Sequence, residues 1–172
     1  MKTQQKGFTL IELIIVIVVL GILAVTAAPQ FFNFAKDARV ATLEGIQGSI
    51  KGANQMVYGR ASIKGATLGA SNVIVRGTST VNTYNGYVQA ADLESILDAA
   101  DFTFIEKTAG DYADSGTAGT PTTPGVYYVI SSDITLATSD AAGVEAAACY
   151  LSYTDSAVAN AEPTIALVTT GC

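Results

Sequence analysis

One carboxylate, Glu12, stands inside a run from Phe8 to Ala28 that carries no other charge, directly behind a short basic segment ending in Gly7. A charged side chain in the apolar core of a bilayer is unfavourable by about 2.5–3.5 kcal/mol on insertion scales, so it calls for a partner of opposite sign. Cleavage between Gly7 and Phe8 would make one, because it creates an α-amine on Phe8 four residues before Glu12. In a filament of staggered helices, the Glu12 carboxylate of one copy would meet the Phe8 amine of the next. Each buried charge would then be compensated only on assembly, which makes Glu12 a registration device. The alternative is a plain one-pass anchor, with Glu12 snorkelling near the membrane interface.

The elements that must position this pair follow from the pattern. Residues 1–7 carry Lys2 and Lys6 and no acid. A secretory signal places its small residue after the apolar run, at the cleavage site. Here Gly7 precedes that run, so cutting there leaves the apolar segment on the mature chain, and the lysines keep the N-terminus cytoplasmic. The 21 residues of Phe8–Ala28 form a helix of roughly 31 Å, about the hydrocarbon thickness of a bilayer.

Beyond Pro29 the pattern becomes amphipathic. Leu43, Ile46, Ile50, Ala53 and Val57 fall on one helix face, which predicts a single long helix from about Phe8 to Tyr58. Gly45, Gly48 and Gly52 each lower helicity by roughly 1 kcal/mol relative to Ala; they are either tolerated or make room for the head or a neighbouring helix. Gly21 and Pro29 mark the weakest stretch, since proline removes a helical hydrogen bond and crowds the preceding turn. The expected organisation is a leader (1–7), a hydrophobic membrane and filament-core helix (8–28), an amphipathic half (29–60) and a β-sheet head (61–172).

Within the head, residues 61–72 read as a surface connection. Strands are expected at Val73–Val75, Tyr84–Val88, Phe102–Ile105, Val126–Ile130, Cys149–Tyr153 and Ile165–Val168. A short helix is expected at Asp92–Leu97, with Asp92 as N-cap. Ser115–Pro124 reads as a loop whose hydroxyls are candidate glycan acceptors.

Composition narrows the function classes. The chain has no His, which removes the usual serine or cysteine triad, the HExxH zinc site and any imidazole base. It has no phosphate-binding Gly-x-x-x-x-Gly-Lys motif, no CxxC pair and no EF-hand loop. The reading is therefore not an enzyme, with no cofactor and no metal; the only cation site the carboxylates suggest is calcium around Asp111 or Asp114. Residues 61–172 hold Lys64, Arg76 and Lys107 against 12 acids, a balance of −9. A head with that charge is a poor nucleic-acid partner.

The string Gly7-Phe8-Thr9-Leu10-Ile11-Glu12-Leu13-Ile14, with Gly21 and Pro29 downstream, resembles the leader and N-terminal helix of type IV pilins. The first 65 residues, through Leu23–Phe31, Asp37-Ala38-Arg39 and Tyr58–Ala61, resemble the major pilins of mannose-sensitive haemagglutinin pili in particular. The resemblance implies an α+β type IVa pilin fold: a long N-terminal helix with a protruding hydrophobic half, and an amphipathic half packed on an antiparallel β-sheet head. It implies cleavage by a prepilin peptidase after Gly7, N-methylation of Phe8, and subunit registration by Glu12. It also implies unwinding between Gly21 and Pro29 on assembly. The chain would sit in the inner membrane and then enter a homo-oligomeric helical filament, an extracellular fibre for adhesion built by pilus assembly machinery with cytoplasmic ATPases.

Cys149 and Cys172 lie in the part that would be exported, where an oxidising compartment permits a disulfide. A C-terminal disulfide loop is also what the resemblance implies; two free thiols are the alternative. The same N-terminus serves the major pseudopilins of type II secretion, which generally lack that loop. A membrane-anchored periplasmic enzyme is the third reading.

Overall fold

The computed structural model describes residues 7–97, 100–111, 123–158 and 161–172, with only the backbone of residues 30–33. Leader residues 1–6, Asp114 and the expected loop as far as residue 122 lie outside the described residues. The chain divides into two compact units, residues 1–38 and 39–172.

Helix α1 is assigned over Leu10–Lys64, with Gly21 and Pro29 inside it. It starts directly after Thr9, and its apolar side chains from Leu10 to Val25 are exposed. Among the described residues it is the one helix long and apolar enough to cross a membrane. Thr26 donates its hydroxyl to the Leu23 carbonyl at 3.0 Å.

The second unit is an α+β head. Among the described residues, seven strands form two antiparallel sheets: β1 (Ala70–Arg76), β2 (Ser79–Tyr84) and β3 (Tyr87–Val88) in the order β1-β2-β3, and β4 (Phe102–Thr108), β5 (Val126–Ser131), β6 (Tyr150–Thr154) and β7 (Thr164–Val168) in the order β4-β5-β6-β7. The head also holds a 3-10 turn at Ala90–Asp92 and the short helices α2 (Leu93–Ile96) and α3 (Ala141–Ala147).

The apolar stripe of α1 serves both sheets. Leu43, Ile46 and Ile50 pack with Val129, Leu151 and Tyr153 of the four-stranded sheet. Val57 and Ala61 pack with Val73, Val81 and Val88 of the three-stranded one. Strand β5 is buried on both faces: Val129 joins the α1 core, while its neighbours Tyr128 and Ile130 pack with Val144 of α3. That is the period-2 alternation of a strand between two layers.

Several expectations need correction. The helix runs to Lys64, not Tyr58, so the connection shortens to Gly65–Gly69. Ala53 is only half-buried; the polar Asn54 beside it takes the core position. Tyr84–Val88 is not one strand but the turn of a hairpin, with Tyr84 paired to Tyr87 across Asn85-Gly86. Both turn residues have positive φ, +53° and +84°, the signature of the type I′ turn that Asn-Gly favours. Asp92 does precede α2 but makes no side-chain cap; its carboxylate instead accepts from the Asn82 N–H at 2.5 Å. Helix α3 was not expected. Asp140 caps it by accepting from the Gly143 N–H at 2.9 Å, and a Cβ on Gly143 would collide with the Thr138 carbonyl.

Candidate assembly site

Glu12 occupies the third position of α1 and Thr9 its N-cap. The Glu12 N–H donates to Thr9 Oγ1 at 3.3 Å, while Glu12 Oε2 accepts from the Thr9 N–H at 2.8 Å and from the Thr9 hydroxyl at 2.7 Å. This reciprocal pair is a capping box, which satisfies donors that a helix start leaves open. The other carboxylate oxygen, Oε1, takes no hydrogen bond among the described residues. Phe8, four residues earlier, is 94% exposed. The carboxylate therefore holds its own helix start with one oxygen and presents the other. Thr9 was missed as a functional residue, although Thr-x-x-Glu ahead of an apolar run is a legible signal.

Gly7 lies just ahead of the helix, and Gly21 sits in it with no atom near the position of a Cβ. Pro29 continues the helix without an N–H of its own. Gly45, Gly48 and Gly52 likewise have open space where a Cβ would stand. The head therefore does not account for these glycines.

The C-terminal end of the head is tied down. Cys149 and Cys172 form a disulfide with sulfurs 2.06 Å apart. Arg39 on α1 reaches the same place, donating to Asp133 at 3.1 Å and to the Cys172 carbonyl at 3.3 Å. Hydrogen bonding from Ser131, then from Arg39, holds the Asp133 carboxyl below its usual range.

A buried polar cluster joins the helix to both sheets. Asn54 accepts from the Val88 N–H at 3.1 Å and donates to the Tyr153 hydroxyl at 3.2 Å. Tyr153 donates to the Val88 carbonyl at 2.6 Å, and Asp155 accepts from the Ala90 N–H at 2.9 Å. Burial pushes the Tyr153 hydroxyl's pKa up. On the α3 side, Glu145 takes hydrogen bonds from Lys107 and Tyr128, and Lys107 lies over the Tyr128 ring. The Lys107 and then the Tyr128 bond hold Glu145 below the ordinary carboxylate range. These groups satisfy one another, as structural ion pairs and caps do. Among the described residues, no three metal-ligating side chains converge. Asp111, one of the two calcium candidates, lies in an isolated bridge with Thr123.

The family described as the prokaryotic N-terminal methylation motif matches residues 2–28. Over 51 residues the chain is 45% identical to the type IV major fimbrial protein FimA of Dichelobacter nodosus, covering 30% of this chain and 33% of that one. It is 41% identical over 58 residues to the fimbrial protein EcpC of Eikenella corrodens, covering 34% and 38%. With the type IV major pilin protein PilE1 of Neisseria gonorrhoeae it shares 34% identity over 96 residues, covering 52% and 45%. The chain thus spans between a third and a half of the length of these relatives. No solved structure matches it.

Proposed function

We propose that this chain is the structural subunit of a type IV pilus, made in the inner membrane and polymerised through α1 into an extracellular fibre. The observation that carries the reading is Glu12: an acid in an exposed apolar helix, one oxygen unoccupied, four residues after the Gly7–Phe8 junction and inside a matched N-terminal methylation motif. A prepilin peptidase removes residues 1–7 and methylates Phe8. The new amine of one copy is then neutralised by the Glu12 carboxylate of its neighbour. The capping box leaves Oε1 for that partner, so helix start and subunit pairing do not compete.

Residues 8–28 form the filament core, the following half of α1 carries the head, and Gly21–Pro29 is the stretch that unwinds on assembly. The likeness of the first 65 residues to haemagglutinin-type pilins supports a fibre that serves attachment. The chain itself hydrolyses nothing; the assembly machinery supplies the energy. The second reading, a pseudopilin of type II secretion, shares the N-terminus. The Cys149–Cys172 bond favours the pilus.

The experiment is to shear cells and take the intact mass and N-terminal sequence of the released protein. Abundant fibres whose subunit begins at methylated Phe8 support the pilus. The same species confined to the envelope favours the pseudopilin, and a chain still beginning at Met1 overturns both.

A further inference from the structure

The cations of the head are not spread over its surface. Two of the six from Arg39 onward are paired: Arg39 with Asp133, and Lys107 with Glu145. Three others gather where the last turns of α1 meet β1. Arg60 donates to the Ile74 carbonyl at 2.7 Å, Lys64 donates to the Asn72 carbonyl at 2.6 Å, and Arg76 ends the strand. None of the three has a carboxylate partner among the described residues.

Between these cations lies apolar surface. Arg60, Ile63, Lys64, Val73 and Ile74 line an open groove of about 300 Å³, and Ile63 is 90% exposed. Val57, Val75 and Arg76 are among the residues that line a second groove of about 500 Å³. Exposed apolar side chains rimmed by charge are the usual composition of a docking surface.

We infer that this cationic, apolar face of one subunit docks on the acidic head of a second copy in the fibre. The inference rests on the pilus reading above. Charge complementarity selects the occupant: from residue 61 onward the head holds 12 acids against three cations. In a homopolymer the acidic surface nearest to hand is the next subunit's. Asp101 and Glu106, beside and on the edge strand β4, have no cationic partner among the described residues; Glu106 takes a hydrogen bond from the neutral Tyr127 hydroxyl and keeps its negative charge.

The bonds from Arg60 and Lys64 to the β1 carbonyls define the kind of contact. They occupy acceptors that an added strand would need, so the partner is met by side chains and not by sheet extension. They also hold both long side chains in place before docking, which lowers the ordering penalty of the contact. Arg60 keeps further N–H groups for an incoming carboxylate, and Lys64, which also donates to the Asn72 side-chain oxygen at 3.1 Å, keeps one.

The test uses wild-type fibres assembled from a mixture of heavy- and light-isotope chains, treated with a carbodiimide that joins amines directly to carboxylates. The inference expects mixed-isotope peptides linking Lys64 to Asp101 or Glu106. It further expects Lys64→Glu/Arg76→Glu to lower sheared fibre roughly tenfold at an unchanged membrane pool, as a like-charge juxtaposition does, and Asp101→Lys/Glu106→Lys in the same chain to restore it. Intact fibres in which Lys64 links only within its own subunit, or to no acid of a neighbouring head, overturn the inference alone. Absence of any fibre from wild-type cells overturns the pilus reading, and the inference with it.

Discussion

Asn54 and Tyr153 lie 99 residues apart in the chain and meet in the core of the head, where the amide nitrogen donates to the phenol oxygen at 3.2 Å. The same two side chains take both backbone groups of Val88. One amide and one phenol thereby tie α1 to β3 and β6. Tyr153→Phe keeps the ring and its packing but removes the donor to the Val88 carbonyl. The expected loss is about 1–3 kcal/mol, the range for stranding a buried polar group. Guanidinium unfolding of the detergent-solubilised chain measures it, and an unchanged midpoint would contradict the role given to this cluster.

Tyrosines whose pKa is raised make the head less stable in alkali. Burial, then the hydrogen bond to Glu106, push the Tyr127 hydroxyl up to about 12; burial raises Tyr153 and Tyr128 as well. An unfolded tyrosine releases its proton near 10, while these folded ones retain theirs. The unfolded state therefore binds fewer protons, and stability falls as pH rises above about 10. Their contribution is fully present below that value and is lost towards 12 for Tyr127. Unfolding midpoints taken between pH 9 and 12 should decline, and Tyr127→Phe should make the decline shallower.

The Cys149–Cys172 bond closes a loop with a sequence separation of 23. In the chain-entropy model a loop of that length stabilises by roughly 3 kcal/mol. Cys172→Ser should lower the unfolding free energy by about that amount while the ion pair from Arg39 to Asp133 persists. Reductant should destabilise the wild type and leave the variant where it was.

Pro29 and Gly21 lie within α1 as it stands in the single chain. If the stretch between them unwinds on assembly, a map of the fibre will show extended backbone there. Unbroken helix from Gly21 through Pro29 in the fibre would remove that part of the account.

The elements that a local pattern defines were legible in the sequence. The apolar run from Leu10 onward, the stripe of Leu43, Ile46, Ile50 and Val57, and the strands at Val73–Val75, Phe102–Ile105 and Val126–Ile130 all fall within observed elements. The failures have physical causes. Strand β2, Ser79–Tyr84, is mostly polar, and its pairing with β1 and β3 makes it a strand. Helix α3 is seven residues long with a glycine inside, too short for periodicity to show. Asn54 occupies the core because Val88 and Tyr153 supply its partners, and no spacing along α1 announces partners that arrive from other strands. Asn85-Gly86 and Thr9-x-x-Glu12 are legible local signals, the first masked by the tyrosines on either side and the second by the charge of Glu12.

The role of Glu12 is tested most directly by replacing it. On the proposed pairing, Glu12→Ala removes the carboxylate and would leave the Phe8 amine without a partner in the filament core. Stranding one member of a buried pair costs about 3–5 kcal/mol, which is roughly a hundredfold or more in the assembly equilibrium. Thr9→Val serves as the control, because it takes away the hydroxyl of the cap and keeps the acid. The measurement is the amount of sheared fibre, set against processed chain in the inner membrane. Glu12→Ala chains are expected to begin at Phe8, accumulate in the membrane and yield almost no fibre, while Thr9→Val still assembles. Fibre from Glu12→Ala at the wild-type level would contradict the pairing.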